Sequence, residues 1–517
     1  MLIAMVHYHL NPGGVTQVIA NHLRALAMQA SDGGQFHVVV LHGGRCAGWP
    51  DHLPDMPSLD YSLHAVPGLD YDDRRRDPHE LATRLEAVLR GAGGTPDSTV
   101  LHVHNHSLGK NRTLPDTLCE LARDGWALLL QIHDFAEDFR PETFRQIAAD
   151  ADGNFAADAA GEVYPAAAHV HYAALNRRDA RILSAAGIES AQLHVLPNAA
   201  GDVPSLRPRG PARRELARRF EIPADRRLLL YPVRGIRRKN LGEALLWSAL
   251  AGEGWQVGLT LAPRNPVERP SYDRWKALAA SLGLPMTFEI GEDDGLSYAD
   301  SLAAADRMLT TSVAEGFGLV FLETWLAGKT LVGRDLPEIT ADFVAADLRF
   351  DHLRPCLNVP VDWIGLVPWR REFERAYIQT LARFGRRPPA ADQFACILDK
   401  LTTGGMVDFG ALSSAHQHQI VQQVTESANR RQRLRMLNDW IATALGRAEL
   451  SASAVAHNAA VARATYSLAA CGRRLSDLYH NVSASPRTSH VQPVPRAEQI
   501  LDEFLRPERF HPIRVEL

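Results

Sequence analysis

The segment Leu309-Thr-Thr-Ser-Val-Ala-Glu-Gly-Phe-Gly-Leu-Val-Phe-Leu-Glu-Thr-Trp-Leu-Ala-Gly-Lys-Thr-Leu-Val-Gly333 decides the reading of this chain. Its pattern predicts an apolar strand over 307–311, a break at Glu315-Gly-Phe-Gly318, a helix to about Ala327, a stop at Gly328 and a second strand at Thr330-Leu-Val332. Strand, glycine-rich turn, helix and strand make a βαβ unit, and in a parallel sheet that turn lies at the carboxyl edge, where ligands bind. Gly316 and Gly318, on either side of Phe317, let the backbone approach a ligand, and the free N–H groups from Gly318 and Leu319 onward suit an anion such as phosphate. Glu315 and Glu323 flank that seat about two helical turns apart. Phosphate repels a carboxylate, so the expected targets of these two are hydroxyls, and phosphate together with hydroxyls describes a nucleotide sugar. A bland reading stands beside this one: glycine pairs at strand–helix turns are common, and Glu323 fits an exposed helical position.

The rest of the chain narrows the class. At 517 residues it is long enough for two to four domains, and 46% hydrophobic with 22% charged residues is the balance of a soluble globular protein. A formal net charge of −4 gives no general attraction to nucleic acid or to an anionic bilayer. Cys46, Cys119, Cys356, Cys396 and Cys471 are widely spaced, with no C-x-x-C pair, which points to buried thiols in a reducing compartment and not to a disulfide frame or zinc site. Met1-Leu-Ile-Ala-Met-Val6 lacks a basic leader and meets His7 at once, so it reads as a first strand, and no run approaches a membrane-spanning length. The expected location is cytoplasmic.

Taken in order, a strand over 2–6 is followed by a loop ending in Gly13-Gly14, a second candidate anion seat, and by a helix over 15–30. Strands at 36–41, 100–104, 127–132 and 169–175 and helices at 80–89 and 177–186 continue the alternation, with 42–76 read as loop, rich in proline (Pro50, Pro54, Pro57, Pro67). His102 and His104 alternate on a strand and share a face; metal ligation is conceivable, but no carboxylate or cysteine has matching spacing, so partly buried histidines are the favoured reading. Lys110 and Arg112 follow at the strand's carboxyl end and suit an anionic acceptor or simply a solvated loop. His133 closes the strand 127–132, well placed for polar contact with a substrate. After a linker over 201–210, a second series starts with the strand Leu228–Val233 and the loop Arg234-Gly-Ile-Arg-Arg-Lys239, whose cations suit phosphate. Strands at 256–262 and 286–290 and helices at 241–250, 273–282 and 298–305 lead to the opening segment. Beyond Asp342 the alternation ends, and 360–460 reads as mostly helical, with a long polar helix over 413–444.

Glu315-Gly-Phe-Gly-Leu-Val-x-Leu-Glu323 resembles the E-x7-E segment of retaining GT-B glycosyltransferases, especially glycosyltransferase family 4. Arg234 and Lys239 match that family's G-R-x4-K pair, with Val233 in place of its glycine; Leu193-His-Val-Leu-Pro-Asn198 resembles its V-I-P-N-G strand end, with Ala199 for glycine; and 466–479 resembles its last helix. Ala262-Pro-Arg-Asn265 replaces the family's glycine-rich loop near the nucleotide base. The resemblance implies an α/β chain of two Rossmann-like, doubly wound domains facing a cleft, with a helical C-terminal insertion. It divides the chain into an acceptor domain (1–205, with a returning helix at 464–482), a donor domain (206–360), the insertion (361–460) and a tail (483–517).

What the resemblance further implies is retaining hexosyl transfer from a nucleotide-diphosphate sugar to a small-molecule acceptor. Arg234 and Lys239 hold the diphosphate, Glu315 and His133 the transferred sugar, and Glu323 the ribose, with Gly13, Gly14, Gly316, Phe317, Gly318 and Leu319 at the nucleotide-sugar seat. The nucleotide sugar serves as co-substrate with no other cofactor, and no metal is called for, because the clamp is cationic and no D-x-D motif stands at such a site. Nucleic acid is excluded as a partner, and a homo-oligomer is compatible with this reading. Alternatives are a GT-B nucleotide-sugar epimerase or hydrolase, and a non-catalytic sugar-nucleotide-binding protein.

Overall fold

A computed structural model describes residues 1–30, 36–50, 59–149, 161–201, 206–223, 225–252, 254–292, 295–446 and 452–515. Pro54, Pro57, the middle of the 201–210 linker and Asp293-Asp294 lie outside the described residues. The chain forms two compact units: Met1–Gly201 with Ala464–Arg506 and a short piece at 383–385, and Asp202–Ala382 with Arg386–Arg463 and Pro507–Leu517.

In the first unit the order is β1 (Leu2–Val6), α1 (Gly14–Ala30), β2 (His37–His42), β3 (Asp60–Ala65), α2 (Pro78–Gly91), β4 (Thr99–His104), α3 (Leu114–Arg123), β5 (Ala127–Ile132), α4 (Pro141–Ile147), β6 (Pro165–Ala166), β7 (Val170–Ala174), α5 (Arg177–Ala185) and β8 (Leu193–Val195). The seven-stranded sheet runs β3-β2-β1-β4-β5-β7-β8, parallel throughout. Strands β1, β4, β5 and β7 are buried along their whole length, as the continuous apolar runs of a sheet covered on both faces require. Strand β3 occupies stretch 42–76, read from the sequence as loop. Its residues Asp60-Tyr-Ser-Leu-His-Ala65 are largely exposed at the sheet edge, so no apolar pattern announces it.

The returning helix Leu468–Ala484 packs along α1. The approach is close: a methyl added at Gly472 would lie 2.3 Å from the Ala25 carbonyl oxygen. Ile3, Met5, Val38, Val40, Val100 and Leu129 from the sheet, Ile19, Leu23 and Leu26 from α1, and Leu475, Leu478, Tyr479 and Val482 from the returning helix share one core.

The second unit runs α6 (Arg209–Phe220), β9 (Arg227–Arg234), α7 (Leu241–Ala251), β10 (Trp255–Leu261), α8 (Arg269–Ser281), β11 (Met286–Thr287), α9 (Tyr298–Ala304), β12 (Arg307–Thr310), α10 (Val320–Leu326), β13 (Leu331–Arg334), α11 (Pro337–Ala345) and β14 (Leu353–Arg354). Its six parallel strands are ordered β11-β10-β9-β12-β13-β14. The alternation therefore runs one βα step beyond Asp342, where the sequence reading ended it. Strand β11 is shorter than the pattern suggests, because Glu289 turns to a left-handed backbone, φ 64°. The long polar helix expected over 413–444 is three helices, Ser414–Glu426, Ala428–Leu437 and Trp440–Leu445. Ser427 makes the first break: its backbone is extended, and its hydroxyl accepts from the Arg430 N–H, capping the second helix.

The first unit buries an unusual number of imidazoles. Burial pushes His7, His102 and His106 down to about 4 and His133 to about 3, and sets His22 and His104 well below the usual histidine value. These rings stay neutral in the fold but take protons in the unfolded chain near pH 6.5. The unfolded state then binds more protons, so stability is complete above about pH 6.5 and falls as pH drops towards 4, by roughly 1.4 kcal/mol per pH unit for each such histidine. Buried Glu137, pushed up to about 7, acts in the opposite sense and offsets one of them. Urea midpoints measured between pH 7.5 and 4.5 should drop steeply across that interval; a flat profile contradicts neutral burial.

Candidate active site

In a doubly wound sheet, the crevice opens where consecutive strands leave in opposite directions. In the second unit that point lies between β9, from which the chain goes outward to β10 and β11, and β12, from which it goes outward to β13 and β14. The loops at the carboxyl ends of these two neighbours are 235–240 and 311–319. They carry, with Arg234 at the end of β9, most of the charged residues singled out in the sequence.

The two loops are tied together through backbone and side chain. The Lys239 carbonyl accepts from the Tyr231 hydroxyl at 2.9 Å and from the Thr311 hydroxyl at 2.9 Å, and the Val313 N–H donates to the Arg238 carbonyl. Across this seam Lys239 Nζ donates to Glu315 Oε1, and Arg238 stands 4.0 Å from the other carboxylate oxygen. The pair is deeply buried, with side-chain exposures of 13% for Lys239 and 6% for Glu315. Burial alone would raise the Glu315 carboxyl; Lys239 and Arg238 outweigh it and hold the group below the usual range, so it is ionised.

Arg234, half-buried, donates to the Ala262 carbonyl at 2.9 Å, and the Ala262 N–H is taken by Glu292 at 2.8 Å. The Ala262-Pro-Arg-Asn265 loop is thereby clamped from both sides. Arg264 lies close enough to pull the Arg234 pKa down, after burial, so positive charge accumulates at this edge. Arg237 turns aside and pairs with Glu268.

Gly318 has φ +82°, and a methyl there would fall 2.6 Å from the Phe321 ring, so the tight turn before α10 requires glycine. Phe317 is buried against Phe343. Leu319 precedes α10, and the first helical amide partners are Phe321 N–H to the Gly318 carbonyl and Glu323 N–H to the Leu319 carbonyl. Glu323 is pushed up by burial and accepts from the Tyr298 hydroxyl at 3.0 Å. It is a partly buried acid with a defined partner, unlike a freely solvated helical residue.

The remaining candidates belong to the first unit, whose chain reversal falls between β1 and β4. The loop after β1 carries Gly13 and Gly14, both exposed and free of crowding: a methyl at Gly13 meets only the Asn11 carbonyl at 3.7 Å, and one at Gly14 meets nothing within 4 Å. The fold itself therefore does not demand glycine at either position. His133, at the end of β5, has its N–H held by the Asn105 side chain at 2.7 Å and its Nε2 in a 2.9 Å hydrogen bond with His104 Nδ1. Its Nδ1 remains for a ligand. Asn105 sits in the left-handed region, φ 59°, which aims its amide oxygen at both the His133 and Asp134 N–H groups.

Lys110 and Arg112 find different partners. Lys110 lies over the Tyr71 ring, 5.5 Å from its centre, with Arg45 on the same ring at 5.2 Å, whereas Arg112 reaches towards the Ala149 carbonyl. Arg140 repels Lys110 closely enough to lower its pKa further, after burial. Not singled out from the sequence were Tyr71 with its neighbours Arg45, paired with Asp70, and Arg140, paired with Asp134 and close to Lys110, nor Asn105 and His104 as the groups that orient His133. They come from loops and strand ends far apart in the chain, and only the His104/Asn105 run carried any signal.

No protein-family model matches this chain. It is 25% identical over 347 residues to a mannosylglucosyl-3-phosphoglycerate synthase of Petrotoga mobilis, an alignment covering 65% of each chain, so it spans about two-thirds of that relative's length. Among solved structures it resembles a sucrose-phosphate synthase of Thermosynechococcus elongatus (TM-score 0.53, 16% identity, 94% of this chain and 99% of that one). It also resembles a glycosyltransferase of Rickettsia africae (TM-score 0.51, 11% identity, 94% and 99%). These likenesses establish the GT-B fold.

Removing one partner of a buried ion pair leaves an unpaired charge, at a cost of about 3–5 kcal/mol. Lys239→Met or Glu315→Gln alone should therefore lower stability by that order in urea unfolding, and the double variant should recover much of the loss. Additive losses would mean that the two side chains do not interact.

Proposed function

We propose that this protein is a retaining GT-B glycosyltransferase that moves a hexose from a nucleoside-diphosphate sugar to a hydroxyl of a small anionic acceptor, acting in the cytoplasm. The observation that carries the proposal is the buried Lys239–Glu315 pair at the chain reversal of the second sheet, with Arg234 beside it. An ammonium and a carboxylate that satisfy each other can also separate: Lys239 turns to the diphosphate, and Glu315 is released to accept from sugar hydroxyls. Arg234 and Lys239 then stabilise the charge that grows on the leaving diphosphate, the electrostatic term expected to dominate. Glu323, with its raised pKa and its Tyr298 partner, suits the ribose hydroxyls. In the transfer, the bond from the anomeric carbon to the diphosphate oxygen breaks and a bond to the acceptor oxygen forms on the same face. The acceptor proton passes to the departing phosphate.

His133 supports a neutral role, since burial holds its ring unprotonated and His104 occupies one nitrogen, leaving the other for a sugar hydroxyl. An anionic acceptor is supported by Lys110 over Tyr71, beside Arg45 and Arg140 whose charges are met by Asp70 and Asp134, and by the phosphoglycerate in the name of the Petrotoga relative. All five cysteines are free, which suits a reducing compartment, but only Cys471 is buried; Cys46, Cys356 and Cys396 are exposed, against the sequence expectation of buried thiols, because they lie outside the cores. Among the described residues no helix is long and apolar enough to cross a membrane.

The test is a donor panel (uridine, guanosine and adenosine diphosphate hexoses) crossed with phosphorylated and carboxylated acceptors, read by mass spectrometry, with Lys110→Ala, Glu315→Ala and Lys239→Ala as variants. The expected outcome is one donor–acceptor pair giving product with retained anomeric configuration. Transfer should fall at least a hundredfold in Glu315→Ala and Lys239→Ala, and the acceptor KM should rise in Lys110→Ala. Donor consumed equally well without acceptor indicates an epimerase or hydrolase, and nucleotide bound without turnover indicates a binding protein.

A further inference from the structure

The histidines of β4 acquire in the fold a partner that their spacing does not reveal. His22, from the middle of α1, stacks on His102 with ring centres 5.4 Å apart and lies 5.7 Å from His104. All three are fully buried, and one ring nitrogen from each falls within 4.8 Å of the others. Among the described residues, this is the one group of histidine, cysteine or acidic side chains with the geometry to hold a metal ion.

Buried polar atoms in native proteins are nearly always paired. Here both ring nitrogens of His22 and the Nε2 of His104 have no hydrogen-bond partner. Other buried polar atoms also lack a partner, His106 Nδ1 and His169 Nδ1 among them, but His22 is the ring with both nitrogens unmet, and it lies against two further histidines in a core lined by Leu23, Leu26, Leu475 and Tyr479. His104 Nδ1 bonds His133 Nε2 at 2.9 Å, as the second nitrogen of a metal-bound imidazole is held, whereas both nitrogens of His102 are engaged, by the Tyr479 hydroxyl at 2.8 Å and Gln131 Oε1 at 2.9 Å, so His102 releases one of these bonds to ligate. Whichever nitrogen His102 turns to an ion, the other keeps a partner.

We infer that His22, His102 and His104 form a binding site for a divalent transition ion of the zinc class, joining α1 to β4 inside the first unit. Three neutral imidazoles with no oxygen ligand select Zn2+, Co2+, Ni2+ or Cu2+ and reject Mg2+ and Ca2+. Zinc–nitrogen bonds near 2.0 Å in a tetrahedral arrangement bring nitrogens to about 3.3 Å apart, so the rings close inward on binding. The ion also reaches the substrate histidine through one bond. With His104 Nε2 on the metal, its proton is fixed on Nδ1 and donated to His133 Nε2, so the proton of the neutral His133 ring is confined to Nδ1. The site therefore positions His133, and it takes no part in holding the diphosphate.

The test uses the full chain, stripped with a chelator and titrated with Zn2+ or Co2+ alone. Expected are one tightly bound Zn2+ per chain by elemental analysis, a higher melting temperature with Zn2+ than without, and a visible Co2+ band of low-coordinate intensity. His22→Phe, which fills the same space without a ligand, should lose all three, while His79→Ala, an exposed histidine, should keep them. Should His22→Phe not fold, His104→Asn serves as the second variant. Failure of the stripped wild-type chain to take up Zn2+ near one equivalent overturns the proposal, as does uptake equal in wild type and His22→Phe. Uptake without a rise in melting temperature overturns it too, since an ion held by three residues that only the fold brings together must favour the folded state.

Discussion

The two loops at the second unit's chain reversal are arranged around a buried ion pair, Lys239 with Glu315. Taking an ammonium and a carboxylate out of water costs several kcal/mol apiece, and their attraction repays it only when geometry is held tightly. The chain meets that demand by anchoring both loops to the same strand ends. Tyr231 donates to the Lys239 carbonyl and also bonds Ser312, and Thr311 reaches the Lys239 and Asn240 carbonyls. Neighbouring strands β9 and β12 fix where those anchors start. The pair thus depends on the sheet, and the loops in turn depend on the pair.

The helical stretch after residue 360 reinforces the same place. Arg334, at the end of β13 and buried, pairs with Glu243 on α7 and with Asp408 from that stretch. Asn240, the residue after Lys239, donates to Glu243 at 2.8 Å and accepts from Gln417 at 2.9 Å. Asn240 is in the left-handed region, φ 51°, and these two hydrogen bonds hold it there as it ends the cation loop and begins α7. The helical stretch after residue 360 is therefore a buttress of the cation loop 235–240, and it belongs to the same compact unit.

How much of this was legible depended on whether the signal was local. The strand Ala127–Ile132 and the opening strand Leu2–Val6 were readable to the residue, because a fully buried parallel strand writes itself as an unbroken apolar run. The two loops at the second unit's chain reversal were legible as local motifs, since Arg234 and Lys239, and Glu315 and Glu323, lie within short stretches of chain. The edge strand β3 was not, because half-exposed residues at a sheet edge need no apolar pattern. Nor were α3 and α4 singled out, and the break at Ser427 rests on one cap inside a helical pattern. The least legible features join distant residues: His22 to His102, Asn240 to Gln417, Arg45 and Lys110 to Tyr71. Nothing in the spacing of any one segment marks these contacts, which arise only when the sheets assemble.

The two units share a topology but differ in what they place at the chain reversal. In the second, burial is met by opposite charges, Lys239 against Glu315. In the first, burial is met by neutral imidazoles: His7 bonds the His104 carbonyl, His104 bonds His133, and Tyr8 reaches the Asn105 carbonyl at 2.6 Å. A neutral imidazole can donate from one nitrogen and accept at the other, matching a hydroxyl, which does both. A lysine in that position would add a positive charge beside the inferred metal site, and a carboxylate would face Asp134, itself paired with Arg140. Histidine is the side chain that carries polarity there without charge.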